Sequence, residues 1–302
     1  MNTPRYRACG VLLLVAVGVR PSDARWINRP SQEQRAGTPG LVHETFACRS
    51  MKTDVGYAVV LPPSYKMGAQ RYPVVYWLHG GGGNECSSLF TARSWYELCH
   101  AQQVQEVILV YPNGFRSGYM DHYDGQVMVE TMIIKELIPR VDERYRTISS
   151  RAGRAVHGFS MGASGSLKFA IKYPHLFSSA VAYGGGSIDL ERSTSRFILD
   201  ILKTNLNSDP HLVRQNNTYY FLQQNHAQVQ RLGIRFLLSC GADDSWRKSA
   251  EEFQDALRAK HIPCQLMLVP ETGHDLRKLS EQEGTAAALF QDRVFENRSV
   301  TR

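Results

Sequence analysis

Apolar residues in this chain come in short uninterrupted runs, each cut off by glycine or proline. Tyr-Ala-Val-Val-Leu at 57–61 stops at Pro62-Pro63, and Val-Val-Tyr-Trp-Leu at 74–78 stops at a glycine run. Val-Ile-Leu-Val-Tyr at 107–111 stops at Pro112-Asn113-Gly114, Ala155-Val156 leads into Gly158, and Ala-Val-Ala-Tyr at 180–183 meets Gly184-Gly185-Gly186. Ile-Arg-Phe-Leu-Leu-Ser at 234–239 and Gln-Leu-Met-Leu-Val at 265–269 end at Gly241 and Pro270. Continuous runs of this length predict central parallel strands buried on both faces. Helical patterns fall between them. The segment 127–140, with Val141 next to it, carries Val127, Met128, Ile134, Leu137, Ile138 and Val141 on one face. Residues 162–173, 249–260 and 285–294 are the other helical segments. The alternation predicts an α/β protein: one mostly parallel sheet with helices on both faces.

Two stretches break the rhythm. Residues 187–231 are polar, helix-prone and strandless, and are expected to form an insertion over the sheet, as a lid, a substrate wall or plain surface helices. Residues 25–42 carry Pro30, Gly37, Pro39 and Gly40 and are expected to be an irregular arm. Residues 43–302 then form one domain with no internal repeat. The hydrophobic fraction of 43% and charged fraction of 21% over 302 residues suffice for a sizeable core.

The first residues predict export. Arg5 and Arg7 precede an apolar run from Ala8 to Val19, too short for a membrane span, and Ser22-Asp23-Ala24 offers a cleavage site. Residues 1–24 thus resemble a signal peptide, with a secreted or periplasmic product and no stable membrane insertion after cleavage. Losing three basic side chains and one acid takes the net charge from +7 to +5. The charges are scattered, and no nucleic-acid motif is present. Five cysteines remain. Cys86 and Cys99 flank one helix and are the first disulfide pair to consider, while Cys240 reads as a small buried hydrophobe. No cysteine or histidine spacing suggests a metal site. Asn216-Asn217-Thr218 and Asn297-Arg298-Ser299 are glycosylation sequons.

The chemistry centres on Gly-Phe-Ser-Met-Gly at 158–162. A serine flanked by glycines between a strand and a helix sits on a sharp turn that exposes its oxygen. Ser160 is therefore the candidate nucleophile. The helix that follows aims its first amides at the site, where negative charge develops. The amide of Met161 and one from His79-Gly80-Gly81-Gly82-Gly83, assigned to Gly81, are the candidate oxyanion donors. His79 itself is expected to be structural. A serine needs a base, and the base an orienting acid, in the order Ser, Asp or Glu, His. His274 follows the run ending at Val269. Asp244 and, in reserve, Asp243 follow the preceding run. Asp275 is expected to cap a turn or helix. Phe159, Tyr119 and Trp246 are the aromatic candidates for stacking on substrate.

These motifs, with Cys-Gly-Ala-Asp-Asp-Ser at 240–245 and Gly-His-Asp at 273–275, resemble the esterase D-type α/β-hydrolases. Within that group the chain is similar to carbohydrate esterase family 1, the feruloyl and acetyl-xylan esterases, from about Glu44 to about Leu279. Tyr-Ala-Val-Val-Leu-Pro-Pro at 57–63 and Tyr-Pro-Val-Val-Tyr-Trp-Leu-His at 72–79 also match; Ala163 stands where the group often has glycine. The resemblance implies the α/β-hydrolase fold, a triad of Ser160, Asp244 and His274, no cofactor, and a small ester or acylated polysaccharide as substrate. It implies release of feruloyl or acetyl groups from plant cell-wall polysaccharide. The alternatives are an S-formylglutathione hydrolase, a mycolyltransferase-like acyltransferase and a non-catalytic carbohydrate-binding protein on the same scaffold.

Overall fold

The computed structural model describes residues 26–296. The expected signal peptide, residues 1–24, and the sequon at 297–299 lie outside the described residues. The eight strands are β1 Leu41–Cys48, β2 Thr53–Val60, β3 Val74–Leu78, β4 Ile108–Pro112, β5 Arg154–Phe159, β6 Ser179–Tyr183, β7 Arg235–Gly241 and β8 Cys264–Val269. They form one sheet in the order β1-β2-β4-β3-β5-β6-β7-β8. β1, β2 and β4 pair antiparallel, and every pair from β4 to β8 is parallel. The chain passes from β3 outward to β4, then crosses back to β5 on the other side of β3. This reversal opens a crevice beyond the carboxyl ends of β3 and β5, where ligands of open α/β sheets bind.

The helices are α1 Gln32–Gly37, α2 Thr91–His100, α3 Val129–Thr131, α4 Ile138–Arg144, α5 Met161–Lys172, α6 Arg196–Leu206, α7 Pro210–Asn216, α8 Thr218–Arg231, α9 Arg247–Arg258 and α10 Leu276–Glu296. Residues of β3 show how the sheet divides the core. Val74, Tyr76 and Leu78 face a cluster with Leu137, Phe169 and Leu222, while Val75 and Trp77 face a second cluster with Trp95, Leu279 and Phe290. α5 and α8 cover one face, and α2 and α10 the other. All five residues of β3, β4 and β6 are buried, which is why their sequences are apolar without alternation. Truncating a side chain such as Trp77 here costs about 3–5 kcal/mol.

Several expectations need correction. The run at 57–61 belongs to an antiparallel strand, and the run at 265–269 is the half-exposed edge strand β8, with Leu268 at the surface. β1 was not anticipated, because its Leu-Val-His-Glu-Thr-Phe-Ala-Cys mixes polar and apolar positions, as suits an edge. Residues 26–42 include α1, closed by a capping box from Ser31 and Gln34, and the start of β1. The helix expected at 127–140 is broken by a π-turn over Met132–Leu137. Pro139 follows it and has no amide to give a regular helical bond. Cys86 and Cys99 are not bridged. Cys99 is on α2, one residue before its end, and Cys86 donates to the Asn28 carbonyl at 2.9 Å. Burial pushes the two thiols up to about 12 and about 11. The sequon at Asn216 is buried, its amide bonded to the Leu212 carbonyl and Lys168, so no glycan fits there.

Candidate active site

β5 ends in Phe159, and α5 begins at Met161, so Ser160 alone makes the turn. Its φ of 55° and ψ of −112° lie in a region that L-residues avoid, at a cost of order 1–3 kcal/mol. Backbone contacts hold it there. The Ser160 amide donates to the Tyr183 carbonyl at 2.8 Å. A Cβ at Gly158 would collide with the Gly162 carbonyl, and one at Gly162 with the Leu78 carbonyl, so both flanking positions must be glycine.

The other two side chains come from loops tied to each other. Beyond β7 and β8, the Ala242 amide donates to the Val269 carbonyl at 2.8 Å, and the Asp243 amide to the Thr272 carbonyl at 3.0 Å. Asp244 is thereby turned inward and Asp243 outward. The Asp244 carboxylate is buried; Oδ2 accepts from His274 Nδ1 at 2.8 Å, and Oδ1 accepts from the Trp246 amide at 2.8 Å. A carboxylate can only accept here, so the proton sits on Nδ1. Nε2 is then the lone-pair nitrogen, and it lies 2.8 Å from Ser160 Oγ. The three residues Ser160, His274 and Asp244 thus form one continuous relay. Asp275 caps α10 through the amides of Arg277 and Lys278.

Opposite the serine, the run Gly80–Gly83 closes a turn in which the Gly83 amide donates to the Gly80 carbonyl at 3.1 Å and Gly82 has φ of 78°. Gly81 is exposed and lines the cleft, as Met161 does. The Met161 amide is at the first position of α5, where no intrahelical acceptor exists. His79 supports the turn from below. Its Nε2 accepts from the Gly114 amide at 2.8 Å, so Nδ1 carries the proton and donates to the Gly80 carbonyl at 2.8 Å. Burial holds the His79 pKa below the usual histidine range, in keeping with a neutral ring.

The relay and the glycine turn open onto a cleft of about 560 Å³. The Esterase family model matches residues 48–275, about three quarters of the chain. The chain belongs to the Esterase family. An esterase of Mycobacterium tuberculosis is 32% identical over 157 residues, which are 51% of this chain and 34% of that relative. The chain therefore spans about a third of that relative's length. A ferulic acid esterase structure matches with a TM-score of 0.70 at 22% identity, covering 84% of this chain and 98% of the other. An S-formylglutathione hydrolase from Agrobacterium tumefaciens matches with a TM-score of 0.69 at 18% identity, covering 85% and 94%. The fold is the α/β-hydrolase fold.

The aromatic candidates in this esterase-family chain fare differently. Phe159 lines the cleft, but its ring stacks on His274 with centroids 4.8 Å apart. Trp246 lines the cleft, half-buried. Tyr119 does not reach it. With φ of 55° its ring turns inward against Gly114 and Gly165, where no Cβ would fit, and its hydroxyl donates to the His79 carbonyl at 3.0 Å. Tyr119 is a prop beneath the glycine run rather than a substrate contact. Other lining residues leave little trace in the sequence. Met120, Ile188, Leu190, Phe197, Ile198 and Ile201 make much of the cleft wall apolar. Of these, Phe197, Ile198 and Ile201 have a sequence signal, the amphipathic stretch 196–206 within the expected insertion. Lys168, buried in the cleft lining, donates to Glu130 and the Tyr119 carbonyl at 2.7 Å and to Asn216 at 3.1 Å. Desolvation favours a protonated Glu130, but the nearby charges of Lys168 and Lys172 outweigh it and hold the carboxyl at about 2. No group of histidine, cysteine and acidic residues among the described residues has the arrangement of a metal site. No described helix is long and apolar enough to cross a membrane.

Proposed function

We propose that the chain hydrolyses carboxylic esters through an acyl-enzyme on Ser160. The observation that carries this reading is the unbroken relay from Asp244 through His274 to Ser160, with 2.8 Å at each step. Ser160 Oγ attacks the ester carbonyl carbon as His274 Nε2 takes its proton. Asp244 keeps the imidazole in the required tautomer and stabilises the imidazolium. The amides of Met161 and Gly81 hold the oxyanion, each contributing about 3 kcal/mol to the barrier reduction. The imidazolium returns its proton to the departing alcohol. Water, deprotonated by His274, then releases the acid and frees Ser160.

The favoured substrate has a bulky, apolar acyl group, and we assign a feruloyl-type ester of plant cell-wall polysaccharide ahead of an acetyl ester. A cleft of about 560 Å³ with an apolar wall is oversized for acetyl or formyl. Export through residues 1–24 fits a polymeric substrate outside the cell.

Purified protein and Ser160→Ala are assayed on p-nitrophenyl acetate, methyl ferulate and acetylated xylan, with and without xylo-oligosaccharide acceptors. Turnover that vanishes in the variant, with methyl ferulate preferred, is the expected result. Equal turnover in both proteins removes Ser160 from its role. Acylated sugar in place of free acid makes the protein a transferase.

A further inference from the structure

Arg116 is exposed and lines the active-site cleft from the turn after β4. Among the described residues it makes no hydrogen bond and no ion pair. The remaining lining offers it no neutralising charge, since it contains no aspartate or glutamate. The other lining cation, Lys168, is already committed to Glu130. The cleft therefore carries one unspent positive charge, and it stands beside the glycine run, where a Cβ on Gly82 would be 3.7 Å from Arg116 Nη2.

The turn presenting Arg116 is firmly built. Ser117 Oγ donates to the Gly114 carbonyl at 2.7 Å and accepts from the Tyr119 amide at 3.0 Å. Asn205 of α6 donates to the Ser117 carbonyl at 3.1 Å. Phe115, immediately before Arg116, is held at φ of 48°, and strain of this kind persists only where the surroundings over-determine it. The fixed turn sets where the Arg116 side chain begins, and a guanidinium matches a carboxylate in a two-pronged geometry.

We propose that Arg116 binds a carboxylate on the alcohol portion of the ester. This places the acyl group against the apolar wall of Ile188, Leu190, Ile198 and Ile201, and the alcohol beside the exposed Arg116. The substrate class is then an ester of an acidic alcohol, such as a uronic-acid-bearing saccharide or a hydroxy acid. The proposal rests on the ester-hydrolase reading of the site.

The test compares 4-acetoxybenzoate with its methyl ester, which share the acyl group and differ in leaving-group charge. Turnover of the neutral ester that disappears in Ser160→Ala reports the hydrolase reading by itself. The ratio of kcat/KM, anionic over neutral, reports Arg116. It is expected to fall about tenfold in Arg116→Gln and to recover in part in Arg116→Lys. In the unmodified protein it should also shrink as KCl rises from about 10 mM to about 0.5 M. A ratio in Arg116→Gln equal to that of the unmodified protein overturns the proposal. So does a charge effect confined to mono-4-nitrophenyl glutarate, whose carboxylate is on the acyl side.

Discussion

The floor and the wall of the cleft rest on different physics. The floor is backbone. Ser160, Asp244 and His274 hang from the ends of β5, β7 and β8, and main-chain hydrogen bonds and glycine contacts leave them one arrangement. The wall is side chains. Ile188, Leu190, Phe197, Ile198 and Ile201 stand on a loop and on α6, and Ile198 packs with Met120, Leu202, Leu206 and Val213 in a small core apart from the sheet. Phe197 is 61% exposed there, and Leu199 46%. Floor residues cannot shift without breaking main-chain bonds, but wall residues can be exchanged without touching the sheet. On the proposed reading, the reaction belongs to the floor and the choice of acyl group to the wall, so the two are separable.

The largest effect that can break this comparison is on the floor. Asp244→Asn should lower kcat about 10⁴-fold by favouring the wrong imidazole tautomer, while Asp243→Asn, one residue away and facing outward, should stay within a few-fold. Steady-state kinetics on one aryl ester decides between them, and equal losses would remove the distinction. Next is the elbow. Gly162→Ala drives a Cβ into the Leu78 carbonyl, and the urea midpoint should fall by the equivalent of about 3 kcal/mol or more. A change under about 1 kcal/mol would mean the turn is far softer than its contacts suggest.

A third prediction concerns the buried histidine beneath the elbow. His157 packs against Trp77 and Trp95 and bonds to Gln291 at 3.0 Å, and burial holds its pKa at about 4. An unfolded chain takes up that proton near about pH 6.5, and the folded protein does not until near its own pKa. Stability present above about pH 6.5 is therefore lost on acidification through this window. His157 should account for about 2 kcal/mol between about pH 7 and about pH 4.5, and His79, lowered for the same reason, adds in the same direction. Urea unfolding at both pH values should show a shallower loss in His157→Gln. An unchanged loss would assign the pH dependence elsewhere. The smallest effect is on the wall: Ile201→Ala should reduce kcat/KM for methyl ferulate several-fold and leave p-nitrophenyl acetate nearly untouched, since one truncated side chain in an apolar pocket is worth about 1–3 kcal/mol. Equal loss on both esters would show that wall and floor are coupled.

The same division explains what the sequence made legible. Ser160 is readable because strand, turn and helix are contiguous and the glycine requirement is local. Asp244 and His274 are readable because each follows a strand end in the expected order. Tyr119 was misjudged because its inward turn depends on a backbone φ and on Gly165, which is remote in sequence. Arg116 left no pattern, since its importance lies in the absence of a partner. β1 and β8 lie at sheet edges, where half-exposure blurs the apolar signal. The cleft wall gathers residues from 120 to 201, and no local spacing announces that assembly.

The central claim is that Ser160 is the one activated nucleophile, and covalent labelling tests it most directly. Protein treated with an aryl fluorophosphonate and mapped by peptide mass spectrometry should carry one adduct, on Ser160, with loss of esterase activity in step with labelling. His274→Ala should label far more slowly. An adduct on another residue, or full labelling of Ser160 with turnover undiminished, would contradict the account.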